Sequence, residues 1–392
     1  MTDESPLTGE IHFTRLFPWL RLFRGIGVSI DPKKLFLAAI GLIALNAGWG
    51  ALDRAFPNSD PRIPAGLSSL AVASTPARGD SGFDLGLSLW QLTEPVQCLI
   101  TPFVAIFSVR TGGISLLHAF LAAVWAVVVW GLIGGAIARI ATVQVATGER
   151  MGVKNALKFA FGKSVPLVLG PLSPLLGIAI LTVPCVFFGL LYRLPTSIGP
   201  IVAGLLLVLP LLAGLVMALI LVGLATGWPL MHASVAAEAE DGFDALSRSY
   251  AYVFQRPLRY AFYLILAWII GLAGIVFVSL FAQLVVQMAQ WALSYSAPHD
   301  QLQALLQPGR VPLDSAAAKL HTFWLAVVGL LAHGWIYSYF WSAASTIYLL
   351  LRQDVDGTDW RQVALPPAPP NPLLPAVEPI STPDNLNTAG ME

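Results

Sequence analysis

Long runs without a formal charge constrain this chain more than any other feature. Leu35–Leu52, Ile114–Ala138, Val165–Tyr192, Ile198–Met231, Tyr260–Leu293 and Leu320–Leu351 contain no Asp, Glu, Lys or Arg. A helix crosses roughly 30 Å of bilayer hydrocarbon with about 20 such residues, and in lipid an isolated segment satisfies its backbone only as a helix. All six runs reach or approach that length. The fourth and fifth would extend about 50 Å as straight helices, so they must tilt, kink or project, and Pro210 is placed to bend the fourth. Only 11% of the 392 residues are charged, against about 25% in a soluble domain, which leaves too little polar surface to cover a water-soluble globule. The expected fold class is an all-α integral membrane protein: six transmembrane helices within residues 35–352, after a segment 1–34 and before a tail 353–392.

Orientation follows from the cations. Roughly two-thirds of the 22 lysines and arginines fall in residues 1–34, in the two loops after the second and fourth spans, and in the tail. Both termini are therefore expected on the cytoplasmic side of the membrane. The acidic opening MTDESPLTGE is not a cleavable signal, so the first span is expected to act as an uncleaved one. The outer segment 53–113 contains one short apolar stretch, Val96–Ser108, interrupted by Pro102, which reads as an interfacial or re-entrant piece. Zero net charge argues against a nucleic-acid partner. From Leu365 onward, prolines such as Pro366, Pro367, Pro369, Pro370 and Pro372 exclude a helix, predicting a disordered, polyproline-leaning tail that offers a route to a protein partner.

A unit recurs on the cytoplasmic side: a short amphipathic helix, a proline, then an entering span. Val153, Ala156, Leu157, Ala160 and Phe161 share one helical face, with Lys154 and Lys158 opposite and Pro166 following. In the next loop Phe243, Leu246, Tyr250, Val253 and Phe254 form the stripe, Asp244 and Arg248 stand four apart as an expected ion pair, and Pro257 follows. A degraded version precedes the first span, with Phe13, Leu16, Phe17, Leu20 and Phe23 as its apolar side and Pro32 after it. These features predict a parallel hairpin repeat, with spans two–three and four–five as the copies. The stretch DGFDALSRSYAYVFQRPLRYAFYLILAWI, beginning at Asp241, resembles the helix-then-span unit of bacterial YciC-like membrane proteins and of the membrane domain of some glycerophosphodiester phosphodiesterases. The resemblance implies a polytopic helical protein of the bacterial inner membrane. The phosphodiesterase activity does not carry over, since no such domain is attached.

Chemistry-bearing patterns are sparse. No nucleophile motif, zinc signature or phosphate loop occurs, so no catalytic residue, metal site or cofactor is expected. Cys98 and Cys185 sit among apolar residues as small hydrophobes. His118 and His333 are the titratable candidates at depth besides cysteine and tyrosine; a bond to a neighbouring backbone or hydroxyl accounts for either. Lys154, Lys158, Arg248, Arg256 and Arg259 are the candidate headgroup contacts, because basic amphipathic helices rest on anionic lipid. Gln283, Gln287 and Gln290 share a face of the fifth span and offer either a polar vestibule or a helix emerging into water. Gly131, Gly134 and Gly135 give the second span a smooth face for close packing, expected within the chain. The function expected is a non-catalytic membrane scaffold or lipid-associated protein; the alternative is a transporter or exporter of an apolar or zwitterionic solute or lipid. Cysteines introduced at Ser59 and Ser381 should react with impermeant reagent from opposite sides of the membrane, and same-side labelling would refute the span count.

Overall fold

The computed structural model describes residues 18–57, 59, 85–107, 113–194, 198–296 and 316–364, and every regular element among them is helical. After a 3-10 turn at Pro18–Leu20 come α1 (Arg21–Ser29), α2 (Pro32–Ala55) and α3 (Leu85–Ile106). Then follow α4 (Gly113–Thr147), α5 (Val153–Gly162) and α6 (Ser164–Gly189), the last tightening into a 3-10 turn at Leu190–Arg193. The chain continues through α7 (Ile198–Leu205), α8 (Val208–Glu238), α9 (Gly242–Gln255), α10 (Pro257–Leu293) and α11 (Ala316–Asp356). Six helices, α2, α4, α6 with its 3-10 turn, α8, α10 and α11, are long and apolar enough to cross a membrane. The chain is an all-α polytopic membrane protein.

Local chemistry sets the boundaries. Asp31 caps α2 by accepting the Lys33 N–H, and Pro32 takes the first helical position, where a missing N–H costs nothing. The fourth apolar run, expected as one helix, is two. Pro210 lacks an N–H and its ring would press on the carbonyl four residues back, so the helix restarts at Val208 with the proline in its first turn. Gly357 ends α11 with φ 68°, a left-handed conformation that glycine adopts without strain. The second span runs past Ala138 to Thr147, so Arg139, expected in the loop beyond, is a buried residue of α4.

The helices α4, α8 and α11 pack on one another pairwise. Each carries a short helix folded back along its last turns: α5 on α4, α9 on α8, α1 on α11. Thus Tyr250 of α9 donates to the Ile220 carbonyl of α8 at 2.7 Å. Arg21 of α1 meets Gln353 of α11 at 3.0 Å, while Ser29, at the other end of α1, accepts from Ser338 at 2.7 Å. A long helix with a proline in its first turn then leaves in the opposite direction: α6, α10 and α2 respectively. The long–short–long unit occurs as α4–α5–α6, as α8–α9–α10 and, in permuted chain order, as α11–α1–α2.

Aromatic rings fill the space between the long helices. Trp130 of α4 stacks on Tyr337 of α11 at 4.4 Å, and Trp341 of α11 meets Trp228 of α8 edge-on at 5.2 Å. The glycine face of α4 receives them and the neighbouring α6. A Cβ on Gly134 would lie 2.4 Å from the Trp341 ring, one on Gly135 2.6 Å from Leu167, and one on Gly131 3.1 Å from Val168. Reciprocal indole bonds tie α2 to α4, from Trp49 to the Ala122 carbonyl and from Trp125 to the Ala44 carbonyl, both at 3.1 Å.

The outer segment differs from expectation. In place of a short piece at 96–108, α3 is a 22-residue helix that packs against α4, α10 and α11, with Leu92, Cys98 and Leu99 in the core. Pro95 and Pro102 lie inside it, a disruption tolerated where neighbouring helices surround the backbone.

Gly134→Ala should lower stability by about 1–3 kcal/mol through overpacking against Trp341. Gly50→Ala, which meets no atom within 4 Å, should leave stability unchanged or raise it. Thermal unfolding of both variants in detergent checks this, and equal midpoints would count against the packing argument.

Candidate functional site

The short helices gather at one end of the bundle, and the candidate headgroup residues are there. In α5, Ala156 and Ala160 are buried against the bundle while Lys154, Lys158 and Phe161 are exposed. In α9 the buried face is Ala245, Ser249, Tyr252 and Val253. Leu246 and Tyr250 of the expected stripe are half-buried, and Phe243 and Phe254 point outward. Arg256, exposed, sits between α9 and α10, and Leu258 beside it is 85% exposed. Among the described residues no ion pair engages Lys154, Lys158 or Arg256.

Arg248 and Arg259 are committed elsewhere. Arg248 does not pair with Asp244, its neighbour one turn earlier. Its two guanidinium nitrogens reach Glu238 at 2.5 Å and Glu240 at 2.6 Å, because the end of α8 presents two carboxylates to one planar fork. Glu238 also accepts from Arg352 at 3.1 Å and from the Tyr348 hydroxyl at 2.8 Å, which joins α8, α9 and α11. Arg259 pairs with Asp354 at 3.0 Å, while Tyr252 donates to Asp356. These two arginines hold helices together while keeping 40% and 55% of their side chains exposed.

Two further arginines bind backbone. Arg139 donates to the Ala236 carbonyl near the end of α8, donates to the Ala364 carbonyl, and lies 4.5 Å from the Phe159 ring. Arg352 donates to the carbonyls of Asp359, at 3.2 Å, and Gln362. Residues 357–364 are thereby strapped across the ends of the three long helices, with the Ala364 N–H on the Ala237 carbonyl at 2.8 Å. The one advance signal is that Arg139 follows directly on an apolar run.

Carboxylates also reach the two histidines. His118 Nε2 lies 3.0 Å from Asp53 of α2, and His333 Nε2 lies 2.9 Å from Glu94 of α3, with the His333 side chain only 2% exposed. Charge-free runs pointed to backbone or hydroxyl partners; both acids lie outside the runs, Asp53 just past the first and Glu94 within segment 53–113. Gln283 and Gln287 are exposed, Gln290 is half-buried, and none of the three lines the cavity between α8, α10 and α11. No group of three or more His, Cys, Asp or Glu suited to a metal occurs among the described residues. The proline-rich tail from Leu365 lies outside the described residues. No family model matches the chain, and neither does any curated protein or solved structure.

Burial, and then the adjacent Glu238, raise the Glu240 carboxyl from the ordinary 4.5 to about 7, opposed by Arg248 and the Ser234 hydroxyl. Between those values the folded chain keeps a proton that the unfolded chain has released, so this group makes stability fall as pH rises from about 4.5 to 7. Glu240→Gln should flatten that part of the profile. Unfolding midpoints measured across the window check it, and an unchanged slope would refute the assignment.

Proposed function

We propose that this protein is a non-catalytic, lipid-associated scaffold of the bacterial inner membrane, resting its short helices on anionic headgroups at the cytoplasmic surface. The observation that carries the reading is the juxtaposition, at one end of the bundle, of exposed Lys154, Lys158 and Arg256 with exposed Phe161, Phe254 and Leu258. Cations beside apolar side chains suit the boundary between phosphates and acyl chains. The likeness of the Asp241 stretch to YciC-like proteins supports the bacterial inner membrane. The exporter alternative drew on the glutamine stripe, of which Gln283 and Gln287 are exposed on the outside of α10.

Each cation near an anionic surface contributes about 1 kcal/mol, so three together amount to on the order of a hundredfold in partition. Lys154→Gln with Lys158→Gln and Arg256→Gln should strongly reduce the enrichment of anionic lipid in native-lipid nanodiscs, read by mass spectrometry. Arg248 and Arg259 stay untouched in that variant because they hold the fold. Unchanged enrichment sinks the scaffold reading.

A further inference from the structure

The three repeated units differ in one respect. α4 packs directly on α6, and α11 on α2, whereas α8 and α10 make only marginal contact. The separation leaves an open-sided cavity of about 420 Å³ between α8, α10 and α11, closed at one end by α3. Tyr260, Leu264 and Trp268 line it from α10, at one-turn intervals along a single stripe. Ile336, Tyr339 and Ala344 of α11 form its back wall.

The polar atoms of these walls are engaged. Tyr260 donates to the Thr226 carbonyl across the gap, Tyr339 to the Ala267 carbonyl, and the Gln97 amide to the Thr93 hydroxyl at 2.7 Å. What faces the cavity is mostly hydrocarbon, and its volume lies within the roughly 300–1,000 Å³ of small-molecule sites. Arg256, the cap residue immediately before α10 and four positions before Tyr260, stands at the short-helix end outside the cavity lining, exposed and without an ion pair among the described residues. A cation therefore stands beyond one end of an apolar groove.

We propose that this groove is a specific site for one anionic phospholipid, with its phosphate at Arg256 and one acyl chain lying along Tyr260, Leu264 and Trp268. The site goes beyond a general attraction for anionic surface: it shares Arg256 with the scaffold reading but uses neither Lys154 nor Lys158.

The test uses the full chain in nanodiscs containing phosphatidylglycerol with a photoreactive diazirine in mid-chain, followed by peptide mapping of the adducts. Adducts should concentrate on residues 260–268 and 336–347. Ala344→Trp should abolish them, and Leu264→Trp, at the partly exposed lip, repeats the blockade where folding is less at risk. Arg256→Gln should lower the phosphatidylglycerol yield about fivefold, the equivalent of one interfacial cation, and leave a phosphatidylcholine probe unaffected. Lys154→Gln with Lys158→Gln should leave groove adducts intact, even where bulk anionic enrichment is lost. Labelling spread equally over the exposed face of α6, at Leu176 and Ile180, would overturn the site. So would cross-links from the groove to a second protein chain.

Discussion

The mutual contact of α4, α8 and α11 organises everything else in this bundle. It depends on large rings entering places where a side chain is missing: Trp341 lies in the space over Gly134, with Trp228 against its edge. Lipid tails are as apolar as leucine, so burial alone gives little reason for helices to associate in a membrane. Close shape fit, and the dispersion that comes with it, must supply that reason. The missing Cβ atoms of α4 and the rings of α8 and α11 are two halves of one device.

Around that contact, polar groups finish what packing begins. Helix α8 ends with carbonyls that have no intrahelical partner, and that end is buried at Ala236 and Ala237. Arg139 donates to the Ala236 carbonyl there, and Arg139 and Arg352 also bind carbonyls of residues 357–364. Glu238 takes the opposite role, accepting from α9 and α11 together. The short helices are fixed by these bonds as much as by their small buried residues. Their outward faces remain available for the headgroup region.

The proposed scaffold would have two kinds of lipid contact to offer. On that reading the exposed cations and aromatic side chains of α5, α9 and the start of α10 would meet the surface of a leaflet without selecting one molecule. The gap between α8 and α10 is a local departure from the repeat, and departures from repetition are where a repeated architecture acquires a site. Tyr260 spans that gap to the Thr226 carbonyl of α8, while Tyr339 ties α11 to the Ala267 carbonyl of α10.

The sequence alone determined the spans, because the cost of charge in hydrocarbon is local and each run carries its own evidence. It also determined two copies of the helix–proline–span unit, since periodicity and Pro166 or Pro257 are visible within a few residues. Tertiary structure decided the rest. The degraded third copy before the first span is completed by α11, much further along the chain, so no local pattern contains the whole of it. Arg248 chose Glu238 and Glu240 over Asp244 because helix α8 ends beside it, and Glu94 met His333 because α3 enters the bundle. Leu92 and Cys98 of that helix are core residues although its hydropathy is diluted by Gln91, Glu94 and Gln97. Ion-pair choice, helix insertion and the α8–α10 gap depend on which surfaces come within a few ångströms of one another, and distance along the chain carries no record of that.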